Sequence, residues 1–233
     1  MKKLLAFAGA MALASVSHAA IYTFQYTARI DSITDGDGRW GEPDVEVASA
    51  QIPAGLIVRG DTVTGTFSYD RATVSDNTSS DDFYTSSGYS QRLANAVLTA
   101  RFTGTGVALS STPSMYTWVR NAASGSQFGD SFGMYSYEFG PAPSYWREAM
   151  SVDFQGTSTD VLDNTALPGA EITGFTNNTF TLDYTRAENG QFAMTRATGR
   201  ITSVTLISAV PEPSTYAMFA AGLALLAWRR KRA

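Results

Sequence analysis

The sequence predicts an all-β protein, an antiparallel β-sandwich flanked by an N-terminal signal helix and a short C-terminal transmembrane helix. Three observations carry this. Apolar residues recur at period two in one short segment after another. Turns containing Gly, Asp and Asn separate the segments. Between the two ends no long run has the helical period. The chain has 233 residues and is 44% hydrophobic, which is enough apolar material for one packed core. Charged residues make up only 16%, below the usual quarter, and Gly, Ser, Thr and Tyr are abundant. That composition suits an extracellular β-protein and not a disordered chain.

Taken in order, the first segment is 1–19. Lys2 and Lys3 precede an apolar run over 4–16, followed by Ser17, His18 and Ala19. A charged start, an apolar core and small residues at −3 and −1 predict a secretory signal cleaved between Ala19 and Ala20. The Sec translocon and signal peptidase are the partners this implies.

The body, 20–208, follows. Tyr22, Phe24, Tyr26, Ala28 and Ile30 alternate with Thr23, Gln25, Thr27 and Arg29. The same alternation marks Val63 to Tyr69, Ala96 to Phe102, Met150 to Phe154 and Phe180 to Tyr184. Period two places each apolar set on one face of a strand, and the Thr-rich partner sets suit a solvated face. Further strands are expected over 116–120, 132–139, 191–195 and 198–207. Turns are expected at Asp35-Gly36-Asp37-Gly38, at Arg59-Gly60-Asp61 and at Glu188-Asn189-Gly190. The last, with Asn-Gly between two strand patterns, is the strongest hairpin signal. Stretches 70–90 and 121–130 read as long loops, the first carrying Asp76, Asp81 and Asp82. Val161 and Leu162 read as one short helical turn entered from Asp160. Nine or ten amphipathic strands imply two sheets packed face to face. A jelly roll is one form of this, and a barrel fits the same alternation.

Charge and residue inventory narrow the chemistry. Of 17 basic residues, six lie at the two ends, leaving 11 in the middle, all Arg; 20 of the 21 acidic residues share that middle, for a net charge of about −9. Such a domain is a poor partner for nucleic acid or anionic lipid, which need clustered positive charge. There is no Cys, and the single His, His18, lies in the signal. Serine triads, Cys–His pairs and zinc sites are therefore unavailable to the mature chain. No phosphate-binding loop is present and no cofactor is implied.

Two constellations remain. Glu138, Glu148 and Asp153 lie among the aromatics Tyr135, Tyr137, Tyr145 and Trp146. Acids beside aromatic platforms are what a sugar site uses, either for glycan contact or for glycoside hydrolysis by paired carboxylates. Core packing is the plainer account of the aromatics. Asp31, Asp35 and Asp37, with Gly36 and Gly38, resemble part of an EF-hand loop and offer hard oxygen ligands to calcium. A solvated acidic turn is the plainer reading there, and no metal site is expected.

The tail, 209–233, completes the chain. Pro211, Glu212 and Pro213 precede an apolar run of about 13 residues, ~20 Å as a helix against a hydrocarbon core of ~30 Å. Arg229, Arg230, Lys231 and Arg232 follow and favour the cytoplasmic side. The prolines predict an extended linker that continues neither sheet nor helix.

Pro-Glu-Pro, a short apolar helix and a terminal Arg-rich cluster, in that order at the C-terminus, resemble the PEP-CTERM sorting signal. The resemblance implies recognition at Pro211, Glu212 and Pro213 by an exosortase-type processing enzyme, and retention by Arg229 to Arg232. It also implies an inner-membrane precursor that passes to the cell surface or matrix of a bacterium making extracellular polysaccharide. Together these readings predict an exported, non-catalytic surface or matrix protein associated with exopolysaccharide or biofilm. The alternative is a secreted carbohydrate-active enzyme using paired carboxylates.

Overall fold

The computed structural model describes residues 19–36, 44–93, 97–111, 114–139, 145–188 and 191–211. The signal segment, Asp37, Gly38, Glu212, Pro213, the apolar tail and its Arg cluster lie outside the described residues. Within them every regular element is a strand.

Fourteen strands occur. The first five are β1 (Ala19–Gly36), β2 (Val45–Glu46), β3 (Ser49–Ile52), β4 (Gly55–Val58) and β5 (Thr62–Asp70). Then come β6 (Asn77–Ser80), β7 (Tyr84–Arg92), β8 (Thr99–Phe102), β9 (Ala108–Ser110) and β10 (Ser114–Ala122). The last four are β11 (Ser131–Phe139), β12 (Tyr145–Gln155), β13 (Asn177–Glu188) and β14 (Gln191–Pro211). All but β3 and β4 join one antiparallel sheet, ordered β6-β7-β10-β11-β12-β13-β14-β1-β5-β8-β9, with β2 paired to β1.

The expected face-to-face packing is present, but both faces belong to this single sheet, which folds over on itself. Phe67 of β5 meets Phe154 of β12 at 5.7 Å between ring centroids, and Tyr69 meets Phe132 of β11 at 5.4 Å. Phe102 of β8 packs edge-on against Phe180 of β13 at 6.4 Å. The alternating sets read from the sequence supply this core: Phe24, Tyr26, Ala28, Ile30, Val63, Phe67, Phe154, Phe180 and Leu182 are all buried. Tyr26 satisfies its buried hydroxyl by donating to the Thr99 carbonyl at 2.9 Å.

The core is closed at both ends of β1. The β3–β4 hairpin buries Ala50, Ile52 and Ile57 at the Ile33 end, held by the Val47 amide donating to the Ile33 carbonyl at 2.8 Å. The irregular stretch 156–176 closes the Tyr22 end. There Tyr69 donates to the Pro168 carbonyl and the Arg71 Nε to the Leu167 carbonyl, both at 3.2 Å.

Four expectations need correction. Stretch 70–90 is not a loop: β6 and most of β7 form a hairpin there. Asp81 caps its turn by accepting from the Phe83 and Tyr84 amides at 2.7 and 2.9 Å. Val161 and Leu162 form no helical turn; their amides instead donate to the buried carboxylate of Asp130 at 2.9 and 2.8 Å. The two strands expected at 191–195 and 198–207 are one strand, β14. Its pairing with β1 contains register shifts that leave Thr202 and Ile207 unpaired on β14, and Ala20 and Asp31 on β1. Each such bulge flips the inward set, so no single period-two pattern spans the strand.

The fourth correction concerns the tail. β14 runs past 208 and ends at Pro211, which stands opposite Ala19. β13 pairs with β14 only as far as Arg200, so the remainder of β14 has one described partner, β1. A strand with one open side tolerates a terminal proline, because the missing N–H breaks no second ladder.

Candidate functional site

Among the described residues, exposed aromatics gather on the face of the sheet turned away from the core. On β11 the residues Phe132, Met134 and Ser136 point inward, so Tyr135, Tyr137 and Phe139 point out. They are 37%, 49% and 49% exposed, too open to be core. Tyr135 stacks on Tyr137 at 5.9 Å, Tyr137 meets Phe139 edge-on at 5.2 Å, and Tyr116 of β10 lies 5.4 Å from Tyr135. Burial pushes the Tyr135 hydroxyl above its ordinary range, with smaller contributions from Tyr137 and Tyr116.

Two glycines let neighbouring rings lie down on this face. Trp118 pairs with Gly88 on one side and Gly133 on the other. A Cβ on Gly133 would sit 2.6 Å from the Trp118 indole and would also strike the Asp153 carboxylate; one on Gly88 would strike the Tyr116 ring. Tyr116 and Trp118, neither singled out from the sequence, therefore lean to opposite sides over bare backbone. Beyond Trp118, the Arg120 guanidinium lies 4.7 Å from the Tyr84 ring centroid and 5.7 Å from that of Trp118. Phe128 packs edge-on against both Phe83 and Tyr84 at 6.2 Å and extends the aromatic surface.

A groove of about 270 Å³ opens at the start of this stripe, with Ser90, Arg92, Tyr116, Tyr135 and Tyr137 among its walls. Tyr145 and Trp146 begin β12, opposite Ala187 and Arg186, and their side chains lie outside the described residues.

The two glutamates are out of phase with the aromatic face, whereas Asp153 lies on it beside Trp118. Glu138 and Glu148 are direct cross-strand partners on β11 and β12, in phase with Ser136 and Met150 on the inward face. They line, with Ser110, Ser111, Ser136, Tyr137 and Met150, a space of about 10 Å³, room for one water and no sugar ring. Burial raises the Glu148 carboxyl above the usual range, and the facing Glu138 adds to the rise. Asp153 stands on the outer face opposite Gly133. Burial pushes it up to about 6, partly offset by the Ser151 hydroxyl, which donates to its Oδ2 at 2.8 Å.

The weak calcium candidate fares no better geometrically. Asp31 and Asp35 both lie in β1, which stays extended through Gly36. Four residues apart along a strand is about 13 Å, too far to share one ion. Asp31 is the bulged residue, and Asp35 accepts from the Thr195 hydroxyl at 2.9 Å. Among the described residues no three His, Cys, Asp or Glu side chains group to hold a metal.

The cleavage pair Ala19–Ala20 opens β1, and Pro211 ends β14 beside it. No curated protein matches the chain. Residues 209–232 match the family described as PEP-CTERM protein-sorting motif. The chain therefore carries a PEP-CTERM protein-sorting motif at its C-terminal end, the mark of an exported protein sorted through an exosortase-type enzyme.

Proposed function

We propose that the protein is a non-catalytic component of the cell surface or extracellular matrix, delivered through its C-terminal signal, whose body holds exopolysaccharide on its outer aromatic face. The observation that carries this is the exposed ladder Tyr116–Tyr135–Tyr137–Phe139. Sugar rings offer an apolar C–H face to stack and hydroxyls to bond. An open row of rings beside Ser90 and Arg92 supplies partners for both. The inner-membrane precursor and its release after tail processing follow from the sorting motif by the same reading.

The enzyme reading would rest on Glu138 and Glu148. Their space of about 10 Å³ and their place on the opposite face from the ladder favour binding over turnover. The test is co-sedimentation of the mature protein with polysaccharide from the exporting cell. The double variant Tyr135→Ala, Tyr137→Ala should lose co-sedimentation while keeping its thermal transition, since both side chains are exposed. Unchanged co-sedimentation, or glycan turnover abolished by Glu148→Gln, would reverse the reading.

A further inference from the structure

We propose that the aromatic stripe is a site for an acidic polysaccharide, with Arg92, Arg120 and Arg147 receiving its carboxylates. This rests on the glycan reading above and names the class of glycan.

The argument is one of charge placement. The body is acidic, about −9, and two of its arginines hold acids. Arg59 pairs with Glu46 at 2.7 Å, and Arg196 holds Asp183 through Nε and Nη2 at 2.7 and 3.0 Å. Arg92, Arg120 and Arg147 are set apart by position. Each borders the stripe, and none has an ion pair among the described residues. Arg92 lines the groove beside Tyr116 and Tyr135. Arg147 stands opposite Phe139 on β12, and Arg120 lies against Tyr84 and Trp118.

The Nε atoms of Arg120 and Arg147 are buried and without a hydrogen-bond partner. The carboxylates near the stripe do not serve them. Asp183 is taken by Arg196, Glu138 and Glu148 are in phase with the inward face, and Asp153 bonds Ser151.

Guanidinium forks match carboxylates in two-point geometry, and the neighbouring tyrosines supply stacking for the pyranose ring. Arg92 and Arg147 stand three strands apart, about 14 Å at the usual spacing, so one polymer crossing the strands can engage both. The negative charge elsewhere on the body does not forbid this, since fields between exposed charges fade beyond about 8 Å at physiological salt.

The test uses mature protein recovered from the exporting cell, with two probes of equal length: a hexamer of polygalacturonate and cellohexaose. The uronate hexamer should bind about ten-fold more tightly than the neutral one, a difference of ~1.4 kcal/mol. Arg147→Gln should weaken uronate binding about three- to ten-fold and leave cellohexaose unchanged, and Arg92→Gln should weaken uronate binding by at least as much, with a smaller loss for cellohexaose. Arg92→Lys should restore it only in part. Equal affinity for the two probes, or full uronate affinity in both Gln variants, overturns the proposal while leaving glycan binding standing. Failure to bind either probe or the host polysaccharide overturns both.

Discussion

Ala19 and Pro211 stand opposite each other at the open end of the β1–β14 ladder. The residue after which the signal is expected to be cut and the first proline of the sorting motif are thus neighbours across two strands. The first prediction follows from this adjacency. Joining the two ends of the body with a short Gly/Ser linker, and opening the chain at the exposed turn Thr105–Gly106, should give a permutant that folds. Circular dichroism should retain the strand signal, with a cooperative melt within a few degrees of the parent. A permutant without a cooperative transition would show that Ala19 and Pro211 are not adjacent in solution.

Asp130 is fully buried, and its carboxylate accepts from the amides of Ala122, Val161 and Leu162 at 2.7, 2.9 and 2.8 Å. It ties the end of β10 to the stretch that closes the core. Asp130→Ala strands three buried amides and should destabilise by about 3 kcal/mol or more. Urea denaturation measures it, and a loss below about 1 kcal/mol would mean that water replaces the carboxylate.

Asp153 gives a pH signature. Its folded carboxyl is raised to about 6 from an ordinary 3.8, chiefly by burial. The folded state therefore binds the proton more tightly than the unfolded state, and stability falls as pH rises from about 4 to about 6. Across that window the loss attributable to Asp153 is on the order of 3 kcal/mol. Glu148, also raised, adds in the same direction. Asp153→Asn should be the more stable protein at pH 7 and should flatten the slope between pH 4 and 6. Parallel denaturation curves of parent and variant decide it, and equal slopes would place Asp153 in water.

Processing supplies the fourth prediction. Replacing Pro211, Glu212 and Pro213 by Ala should trap an uncleaved precursor in the inner membrane, whereas the native tail yields a form lacking Arg229 to Arg232. Mass spectrometry of the C-terminal peptide from fractionated cells reads this directly. A mature surface form still ending at Ala233 would leave a plain membrane anchor in place of a sorting signal.

The strands legible in the sequence were those whose inward residues are large. Phe24, Tyr26 and Phe67 announce β1 and β5, and Met150, Val152 and Phe154 announce β12. β14 was legible only as two separate strands because its inward residues are small where they meet large ones: Ala197 faces Leu182, and Gly199 lies between Phe180 and Ile30. β6 and the first part of β7 escaped because Ser and Thr fill them, leaving no apolar period to read. At the candidate site, Tyr135 and Tyr137 were visible as aromatics near acids. Alternation along β11 then separates them from Glu138, since neighbours in sequence point to opposite faces. Tyr116 and Trp118 were hidden because their exposure depends on Gly88 and Gly133 in adjacent strands, and pairing partners cannot be read from one strand alone.

The union of β14 with the sorting motif also sets how the protein bears a load. The last strand reaches Pro211, the first proline of the sorting motif, so the motif begins within the folded body. Tension applied along the strand axis would slide β14 lengthwise against β1, straining many rungs of the ladder together in shear. A sideways pull would instead unzip them one at a time.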